Sequence, residues 1–278
     1  MRRTIGLIGT LTLLLGSAAG VLTPAEATPD TPAKVVAPAV VTAVVTAVAP
    51  AVGPAVGPAV APVAAKWSLA QPFTREGIKT GTRDNGPQHI QHVREVQLRL
   101  ARTGLYKSAI DGVFGASTEK AVKAFQARWG LRQTGAMNPV TWAKLIPRTT
   151  YGVAPKVCDG PGWHMCVDRK RHQASLFKNG ALYNSWLVRT GQYTLQTRTG
   201  SFNVYWRDIA HVSHQYGGGM PYSQFFSGGQ ALHGSELMTN PFDGHSHGCV
   251  NFYIEDARQL WNLTHNAKLT VTVYGAWD

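Results

Sequence analysis

Cysteine is scarce in this chain: only three occur among 278 residues. The chain also lacks the Cys-x-x-Cys and His-Glu-x-x-His spacings that commonly hold zinc. Several histidines surround one of the cysteines and leave metal binding open as an alternative, but a thiolate bound to zinc would not act as a nucleophile. We therefore expect no metal and no cofactor. The histidines are His211, His214, His233, His245 and His247.

An apolar run long enough for a confident membrane span is missing as well. After two arginines the run extends from Ile5 to about Leu22, and the small-x-small sequence Ala25-Glu26-Ala27 follows. These features are typical of a secretory signal peptide, which we predict over residues 1–27. An uncleaved signal anchor is the alternative, and the lack of cysteine after the run argues against a lipid anchor. The sequence thus predicts an exported protein with no stable membrane span after cleavage.

Acidic residues are few: 15 Asp and Glu against 27 Lys and Arg give a formal net charge of +12. Such a balance favours contact with a polyanion. Export argues against nucleic acid as the partner and favours anionic wall polymers or lipid headgroups. A solvated basic surface without a partner explains the same charge equally well.

No charged residue lies between Lys34 and Lys66, in a tract made mostly of Ala, Val and Pro. Two Ala-Val-Gly-Pro units occur at residues 51–54 and 55–58. Frequent proline blocks helix and strand interiors and favours extended backbone. We predict that residues 28–84 form a semi-rigid linker that holds folded domains away from the membrane.

Three short helical patterns follow, and they predict a small three-helix domain over residues 85–147. Asn138-Pro139 is a typical helix start, while Gly104 and Gly130 stand where helices typically end. The apolar or buried positions at helical spacing are Val93, Val96 and Leu100, then Thr118, Val122, Phe125 and Trp129, then Trp142 and Leu145.

Beyond residue 147 the pattern changes to short strands. Asn179-Gly180 between apolar pairs predicts a two-residue β-hairpin, and apolar residues alternate with polar ones over residues 269–273. One helix is predicted at about residues 254–264. The overall fold class is therefore mixed: residues 148–278 are expected to form a mostly antiparallel sandwich or partly closed barrel with one helix.

The Gly-rich, aromatic stretch over residues 217–230 leads directly to His233. Its composition predicts a long loop, and long loops in compact domains are often functional. We interpret it as one wall of a substrate cleft, with Tyr222 and Phe225 as substrate-binding candidates. Ordinary core aromatics beneath a loop are the alternative.

The run Ser246-His247-Gly248-Cys249-Val250-Asn251 carries the candidate chemistry, together with His233 sixteen positions before the cysteine. A cysteine attacks as thiolate, and a neighbouring imidazole can take its proton and later return it to a leaving amine. Gly248 leaves room for a substrate carbonyl to approach main-chain N–H groups, as an oxyanion hole requires. A buried structural cysteine in a His-rich loop is the alternative.

This pattern resembles the signature of the L,D-transpeptidases, which have a histidine followed by Ser/Thr-His-Gly-Cys-apolar-Asn/Arg. Residues 85–147 are similar to the three-helix peptidoglycan-binding domain, notably at Asp111-Gly112-Val113-Phe114-Gly115, Phe125-Gln126 and Thr141-Trp142. Arg198 stands where the transpeptidases usually have proline, a difference that alters a turn and no chemical group.

The resemblance implies a β-sandwich enzyme of the cell wall that acts on peptidoglycan stem peptides and contributes to wall biogenesis and cell shape. Cys249 would attack the third stem residue, release D-alanine and pass the acyl group to the amine of a neighbouring stem. His233 would be the general base, held through its other nitrogen by a carbonyl such as that of Gly234. A histidine partner is expected to lower the pKa of Cys249 below its ordinary value of about 8.5.

The same resemblance assigns the rest of the site. Main-chain N–H groups of His247, Gly248 and Cys249 would stabilise the oxyanion, and Asn251 would order the loop or bind substrate, with Ser246 also in contact with substrate. Water in place of the amine would make the enzyme an L,D-carboxypeptidase. A wall-binding structural protein without turnover is the alternative from another functional class.

The two remaining cysteines, Cys158 and Cys166, flank the short loop Asp159-Gly160-Pro161-Gly162. An even pair at short spacing in an exported protein predicts a disulfide bond. Cys249 would then be the one free thiol, which strengthens its assignment as the nucleophile.

Overall fold

The computed structural model describes residues 71–86 and 90–277. The predicted signal peptide and most of the predicted linker lie outside these residues. No helix in the described part of the chain combines the length and apolar character that crossing a membrane requires.

A three-helix module comes first, as the sequence predicts. It consists of α1 (Val93–Arg102), α2 (Ala116–Arg128) and α3 (Pro139–Arg148). The side chain of Asn138 accepts a hydrogen bond from the N–H of Thr141 at 2.9 Å and so caps α3. The apolar faces of the helices meet in one buried cluster around Phe125 and Trp142.

Residues 71–84 fall within the predicted linker, yet the structure places them against the helices. Ile78 pairs with Met137 and is buried in the core of the module, and Arg83 pairs with Val113. The sequence contains only one strongly apolar residue in this segment after Phe73, which explains why composition did not mark it as folded. The folded part of the chain thus begins earlier than residue 85.

Two packed sheets form the second module. One has the order β3-β2-β1-β9-β4 and the other β5-β6-β7-β8. The strands are β1 (Trp163–Asp168), β2 (Gln173–Lys178), β3 (Ala181–Leu187), β4 (Gly200–Asn203), β5 (Trp206–Val212), β6 (Gly219–Ser227), β7 (Gln230–Gly234), β8 (Val250–Phe252) and β9 (Leu269–Tyr274). Apart from the parallel pairs β1–β9 and β7–β8, neighbouring strands are antiparallel. The mostly antiparallel sandwich is confirmed.

The core of the sandwich combines side chains from both sheets and from one helix, α4 (Ile254–Thr264). Trp186 of the first sheet packs against Phe252 of the second, with ring centroids 5.9 Å apart. Leu260 brings α4 into the same cluster. The hairpin at Asn179-Gly180 has positive φ angles of 51° and 78°, the backbone of the two-residue turn that this dipeptide predicts.

The predicted loop over residues 217–230 is wrong, because most of it is strand β6. This strand pairs with β5 on one side and β7 on the other. The glycines that suggested a loop lie at the two ends: Gly217, Gly228 and Gly229 have φ angles of 66°, 47° and 88° and form turns. A register shift between Phe225 and Ser227 adds a bulge near the second turn.

A buried network of charged side chains joins the helical module to the sandwich. Glu95 of α1 contacts Arg75 at 3.2 Å and Arg99 at 2.7 Å, and all three side chains are fully buried. Both guanidinium groups also donate to the main-chain oxygen of Ser185 in β3, at 3.0 and 2.9 Å. The carboxylate of Asp256 in α4 lies 3.2 Å from Arg75. These bonds tie α1 to two elements of the sandwich.

His92 completes the network, with its ring nitrogens 2.7 Å from Glu76 and 3.2 Å from Asp256. Burial alone would lower the pKa of His92, but the two carboxylates outweigh it and raise that pKa well above its ordinary value. His92, Glu95 and Asp256 are close enough to ligate one cation. The arginines that pair with these carboxylates already supply the positive charge.

Glu95→Gln should destabilise the protein by about 3–5 kcal/mol at pH 7, because it leaves two buried guanidinium groups short of a carboxylate. Burial would raise the pKa of Glu95, but Arg75 and Arg99 lower it to about 2. The contribution of Glu95 is therefore present above the unfolded pKa of about 4.3 and is lost as the pH falls towards 2.

Denaturant unfolding at several pH values measures this effect. Glu119→Gln is the matched control, since the Glu119 side chain is on the helix surface, 32% exposed, and pairs there with Lys123 and Thr80. The control should unfold like the wild type. Equal stability of wild type and Glu95→Gln at pH 7 would contradict the role of the network.

Candidate active site

Two parallel strands, β7 and β8, position the candidate catalytic residues. Leu232 pairs with Val250, and His233 pairs with Asn251. Leu232 and Val250 face the core, so by the two-residue period of a strand their neighbours face the opposite side. Cys249 comes immediately before Val250. The register therefore brings the side chains of His233, Asn251 and Cys249 to one face of the sheet.

Arg189 extends this row on the other side of β8. It forms an antiparallel bridge with Asn251, with main-chain bonds of 3.0 and 2.8 Å in the two directions. Residues paired across neighbouring strands present their side chains on the same face. Arg189, Asn251 and His233 thus lie side by side across three segments of chain.

The loop before Cys249 is held by the hydroxyl of Ser246. Its Oγ donates to the main-chain oxygen of Cys249 at 2.6 Å and accepts from the N–H of Gly248 at 3.0 Å. Ser246 is buried, so the structure gives it a position inside the loop. The N–H of Gly248 is occupied as well, whereas those of His247 and Cys249 donate no hydrogen bond to any residue in the described ranges.

Close backbone packing behind Cys249 requires two glycines. Gly248 has a φ of +118°, and a Cβ there would lie 2.5 Å from Nε2 of Gln230. A Cβ on Gly191 would lie 2.2 Å from the main-chain oxygen of Leu195 and 2.8 Å from Cα of Gly248. Sequence reasoning missed Gly191 and Gln230, because only the folded chain brings them to the cysteine.

His233 is buried and its Nδ1 lies 2.7 Å from the main-chain oxygen of Gly234. A carbonyl can only accept, so Nδ1 carries the proton and Nε2 is left as the basic nitrogen. Burial, assisted by the positive charge of Arg189, lowers the pKa of His233 to about 4. At neutral pH the imidazole is uncharged.

Cys249 is partly buried and packs against Met220, Phe225 and Ala231. Burial raises the pKa of its thiol, and a bond to the main chain of Ala231 opposes this only in part. The expectation of a lowered pKa is wrong for this state, because the apolar surroundings of the sulfur outweigh any help from an imidazole that is itself neutral. At rest Cys249 is a thiol, with Sγ 4.0 Å from the main-chain oxygen of Gly229, and His233 is a neutral imidazole.

Aromatic rings on β5 and β6 flank the thiol. Phe225 stacks on Trp206 with centroids 4.5 Å apart and meets His211 edge-on at 5.0 Å. Tyr222 packs in the other apolar cluster, the sandwich core, with its ring 6.3 Å from that of Trp261. Of the two aromatic candidates, the structure therefore places Phe225 beside Cys249 and Tyr222 against α4.

The exposed imidazole of His247 stacks on Tyr216, with centroids 4.1 Å apart and planes within 4°. Sequence reasoning missed Tyr216 and Trp206. Trp206 begins β5, three residues after the end of β4. The chain passes between the two sheets at this point, since β4 and β5 belong to different sheets.

Cys158 and Cys166 lie at the opposite end of the chain's second module. They are joined by a disulfide bond, with their Cα atoms 6.4 Å apart. Both are buried, Cys158 in a short 3-10 helix (Lys156–Asp159) and Cys166 in β1, the central strand of its sheet, and Cys249 is the free cysteine.

Two family models match this chain. Residues 90–145 match a putative peptidoglycan binding domain, and residues 162–273 match the L,D-transpeptidase catalytic domain. Among curated proteins, a spore cortex-lytic enzyme of Halalkalibacterium halodurans is 41% identical over 90 residues, which make up 30% of this chain and 27% of that enzyme. The match thus spans about a quarter of the relative's length.

Solved structures of L,D-transpeptidases also align with the chain. The one from Stackebrandtia nassauensis has a TM-score of 0.45 at 25% identity and covers 75% of this chain and 98% of its own. The one from Xylanimonas cellulosilytica has a TM-score of 0.42 at 24% identity and covers 73% of this chain and 100% of its own.

Under non-reducing conditions the protein should take up one equivalent of iodoacetamide, at Cys249, because Cys158 and Cys166 block each other. Since burial raises the pKa of Cys249, alkylation should be slow at pH 7 and should accelerate above the ordinary thiol pKa of about 8.5. Peptide mapping by mass spectrometry locates the label, and its rate is followed against pH. A rate already at its plateau at pH 7 would show a low-pKa thiolate instead.

Proposed function

We propose that this is an exported enzyme that joins peptidoglycan stem peptides, because residues 162–273 match the L,D-transpeptidase catalytic domain and residues 90–145 match a putative peptidoglycan binding domain. The observation that carries the proposal is the parallel register of β7 and β8. It puts the basic Nε2 of His233 and the thiol of Cys249 on one face, beside main-chain donors for an oxyanion. Nucleophile, base and oxyanion donors are the three parts that acyl transfer by a cysteine needs.

In the first half-reaction, Sγ of Cys249 attacks the carbonyl carbon of the third stem residue. A bond from sulfur to carbon forms while Nε2 of His233 takes the thiol proton. The bond from carbon to the amide nitrogen then breaks, and His233 returns the proton to the departing amine. The products are a thioester on Cys249 and free D-alanine.

The neutral resting pair fits this sequence of proton transfers. An imidazole with a pKa of about 4 is unprotonated at neutral pH and free to accept the thiol proton. The hydrogen bond from Nδ1 to Gly234 orients the ring and remains in place when Nε2 is protonated. Proton transfer then accompanies attack on a bound substrate, and no standing thiolate is required.

The negative oxygen formed during attack is held by the N–H groups of His247 and Cys249. Both are unused by the described residues, whereas the N–H of Gly248 is bonded to Ser246. We assign Gly248 and Ser246 to shaping this loop. Gly248 permits the φ of +118°, and Ser246 closes the turn over Cys249.

In the second half-reaction, the side-chain amine of a neighbouring stem attacks the thioester. A carbon–nitrogen bond forms, the carbon–sulfur bond breaks, and the amine proton passes through His233 to restore the thiol. Water in place of the amine gives a carboxylic acid and makes the enzyme an L,D-carboxypeptidase. Reaction with the amine and reaction with water use the same residues, so only the product, a cross-linked dimer or a free carboxylic acid, distinguishes the two activities.

The helical module is proposed to hold the enzyme on the wall by binding its glycan. Anionic wall polymers are further candidates for contact, because the chain has a formal net charge of +12. Action at the wall requires export, which the predicted signal peptide over residues 1–27 would provide.

Purified disaccharide-tetrapeptide incubated with the protein should yield free D-alanine and a cross-linked dimer joined through third residues. Cys249→Ala should yield neither, because the variant keeps the fold and loses the atom that forms the thioester. Mass spectrometry identifies both products and the acyl-enzyme. Release of D-alanine without a dimer would indicate the carboxypeptidase, and turnover by Cys249→Ala would refute the mechanism.

His233→Ala should lower the rate of acylation by at least ~100-fold, the usual scale for removal of a general base. His211→Ala is the matched control, since His211 packs on Phe225 close to the site but lies on β5 and not in the row of β7 and β8. Its effect should be far smaller. The acylation rates of the two variants are compared by quenching the reaction at intervals and measuring the acyl-enzyme by mass spectrometry. Equal losses of rate would show that His233 is not the general base.

A further inference from the structure

Arg189 is a buried cation that the proposed chemistry does not use. Its side chain is 9% exposed. One guanidinium nitrogen donates to the main-chain oxygen of Asp243 and another to Oγ of Ser235, each at the long distance of 3.4 Å. Its Nε has no hydrogen-bond partner. No carboxylate among the described residues forms an ion pair with it. The charge of the exposed Asp243 acts on Arg189 from a greater distance and only partly opposes the lowering of the Arg189 pKa by burial.

In residues 71–86 and 90–277, four other buried or half-buried arginines are well bonded, which sets Arg189 apart from them. Arg75 and Arg99 share the carboxylate of Glu95. Arg169 and Arg207 lack a carboxylate, but each donates to main-chain oxygens at 2.8 Å. Buried charges are normally paired, because removing an ion from water without a partner is costly. The position of Arg189 therefore suits an anion that arrives from outside the chain.

The place of Arg189 in the sheet indicates which anion. It stands in the row Arg189, Asn251, His233, and its guanidinium reaches Ser235, which immediately follows the end of β7 and is two residues beyond His233. The charge thus lies on the side of His233 and is close enough to lower the pKa of that imidazole. An anion bound there sits next to the group that protonates the departing amine.

We propose that Arg189 binds the terminal carboxylate of the amino acid that leaves during acylation, and so determines the choice of donor peptide. The proposal rests on the function proposed above. In a peptide that ends one residue after the scissile bond, the carboxylate carbon is only two bonds from the leaving nitrogen. A nitrogen placed at His233 therefore brings its carboxylate to the neighbouring cation. The planar guanidinium, with its free Nε, suits two-point contact with a carboxylate.

A purely structural role would have Arg189 hold the segment around Asp243 through its hydrogen bond to that main chain. Bonds of 3.4 Å are at the long limit for N–H donors and contribute little. Asp243 is exposed, its hydrogen bond with Arg189 is through the main-chain oxygen, and its carboxylate attracts Arg189 without forming an ion pair. The two roles differ in one measurable respect: only carboxylate binding depends on the charge at the end of the peptide.

Binding is tested with the full-length Cys249→Ala protein, which cannot turn over. The probes are a stem tetrapeptide ending in D-alanine and the same peptide with a C-terminal amide, each made with lysine and with diaminopimelate as third residue. Calorimetry should show that the free acid binds more tightly than the amide. Adding Arg189→Met should weaken binding of the acid roughly 10- to 100-fold, the range for a charged hydrogen-bonded contact, and leave the amide unchanged.

Two further variants serve as controls. Arg207→Met removes a half-buried arginine whose guanidinium is occupied by the main-chain oxygens of Thr264 and Ala267, and it should not alter the ratio of acid to amide. Arg189→Lys keeps the charge without the planar fork and should retain part of the discrimination. Circular dichroism shows whether each variant folds, and Arg189→Lys replaces Arg189→Met as the test variant if the latter does not.

The outcomes separate this proposal from the function on which it rests. Equal weakening of acid and amide in the Arg189 variants, an unchanged ratio, or no binding of either peptide would overturn the role of Arg189. Acylation of the protein with Cys249 intact is measured in parallel. Absence of an acyl-enzyme, together with an acid-to-amide ratio that depends on Arg189, would refute the proposed reaction and retain the carboxylate site.

Discussion

The parallel pairing of β7 with β8 is the constraint on which the candidate site depends. It sets His233 opposite Asn251 and leaves Cys249 just before the pairing begins. A shift by one residue would turn these side chains into the core and expose Leu232 and Val250, so burial of the apolar face also maintains the site. The contact between Gly191 and Gly248 adds a second restraint, because no other residue would let the two backbones approach so closely.

Burial has opposite electrostatic consequences in two parts of this protein. In the site it lowers the pKa of His233 and raises that of Cys249, so both groups are neutral at rest. Between the modules it accompanies complementary charges that outweigh desolvation, so His92 has a raised pKa and Glu95 a lowered one. The difference lies in the partners: no carboxylate in the described ranges acts on His233 or Cys249, whereas the network pairs cations with carboxylates.

That network also bears on how the two modules work together. Arg75 and Arg99 place guanidinium groups from the helical side on the main chain of Ser185, and Asp256 of α4 receives Arg75. Removing the helices would leave Asp256 and the Ser185 carbonyl without these partners, so the sandwich is not independent of the module before it. In the function proposed above, a helical module attached in this way would hold the face that carries His233 and Cys249 in one orientation towards the wall.

The sequence by itself determined the features that depend on neighbouring residues. Asn138-Pro139 starts a helix and Asn179-Gly180 turns a hairpin, because each acts through bonds within a few positions of itself. The run from Ser246 to Asn251 is likewise a local pattern, and it carries the resemblance to the L,D-transpeptidases. Only the tertiary structure decided that a strand, and not a loop, precedes His233 and that the N–H of Gly248 is bonded to Ser246. It also decided that the pKa of Cys249 is raised and that Arg189 lies beside Asn251. Each of these depends on atoms brought together from distant segments, whose burial and pairing no local pattern encodes.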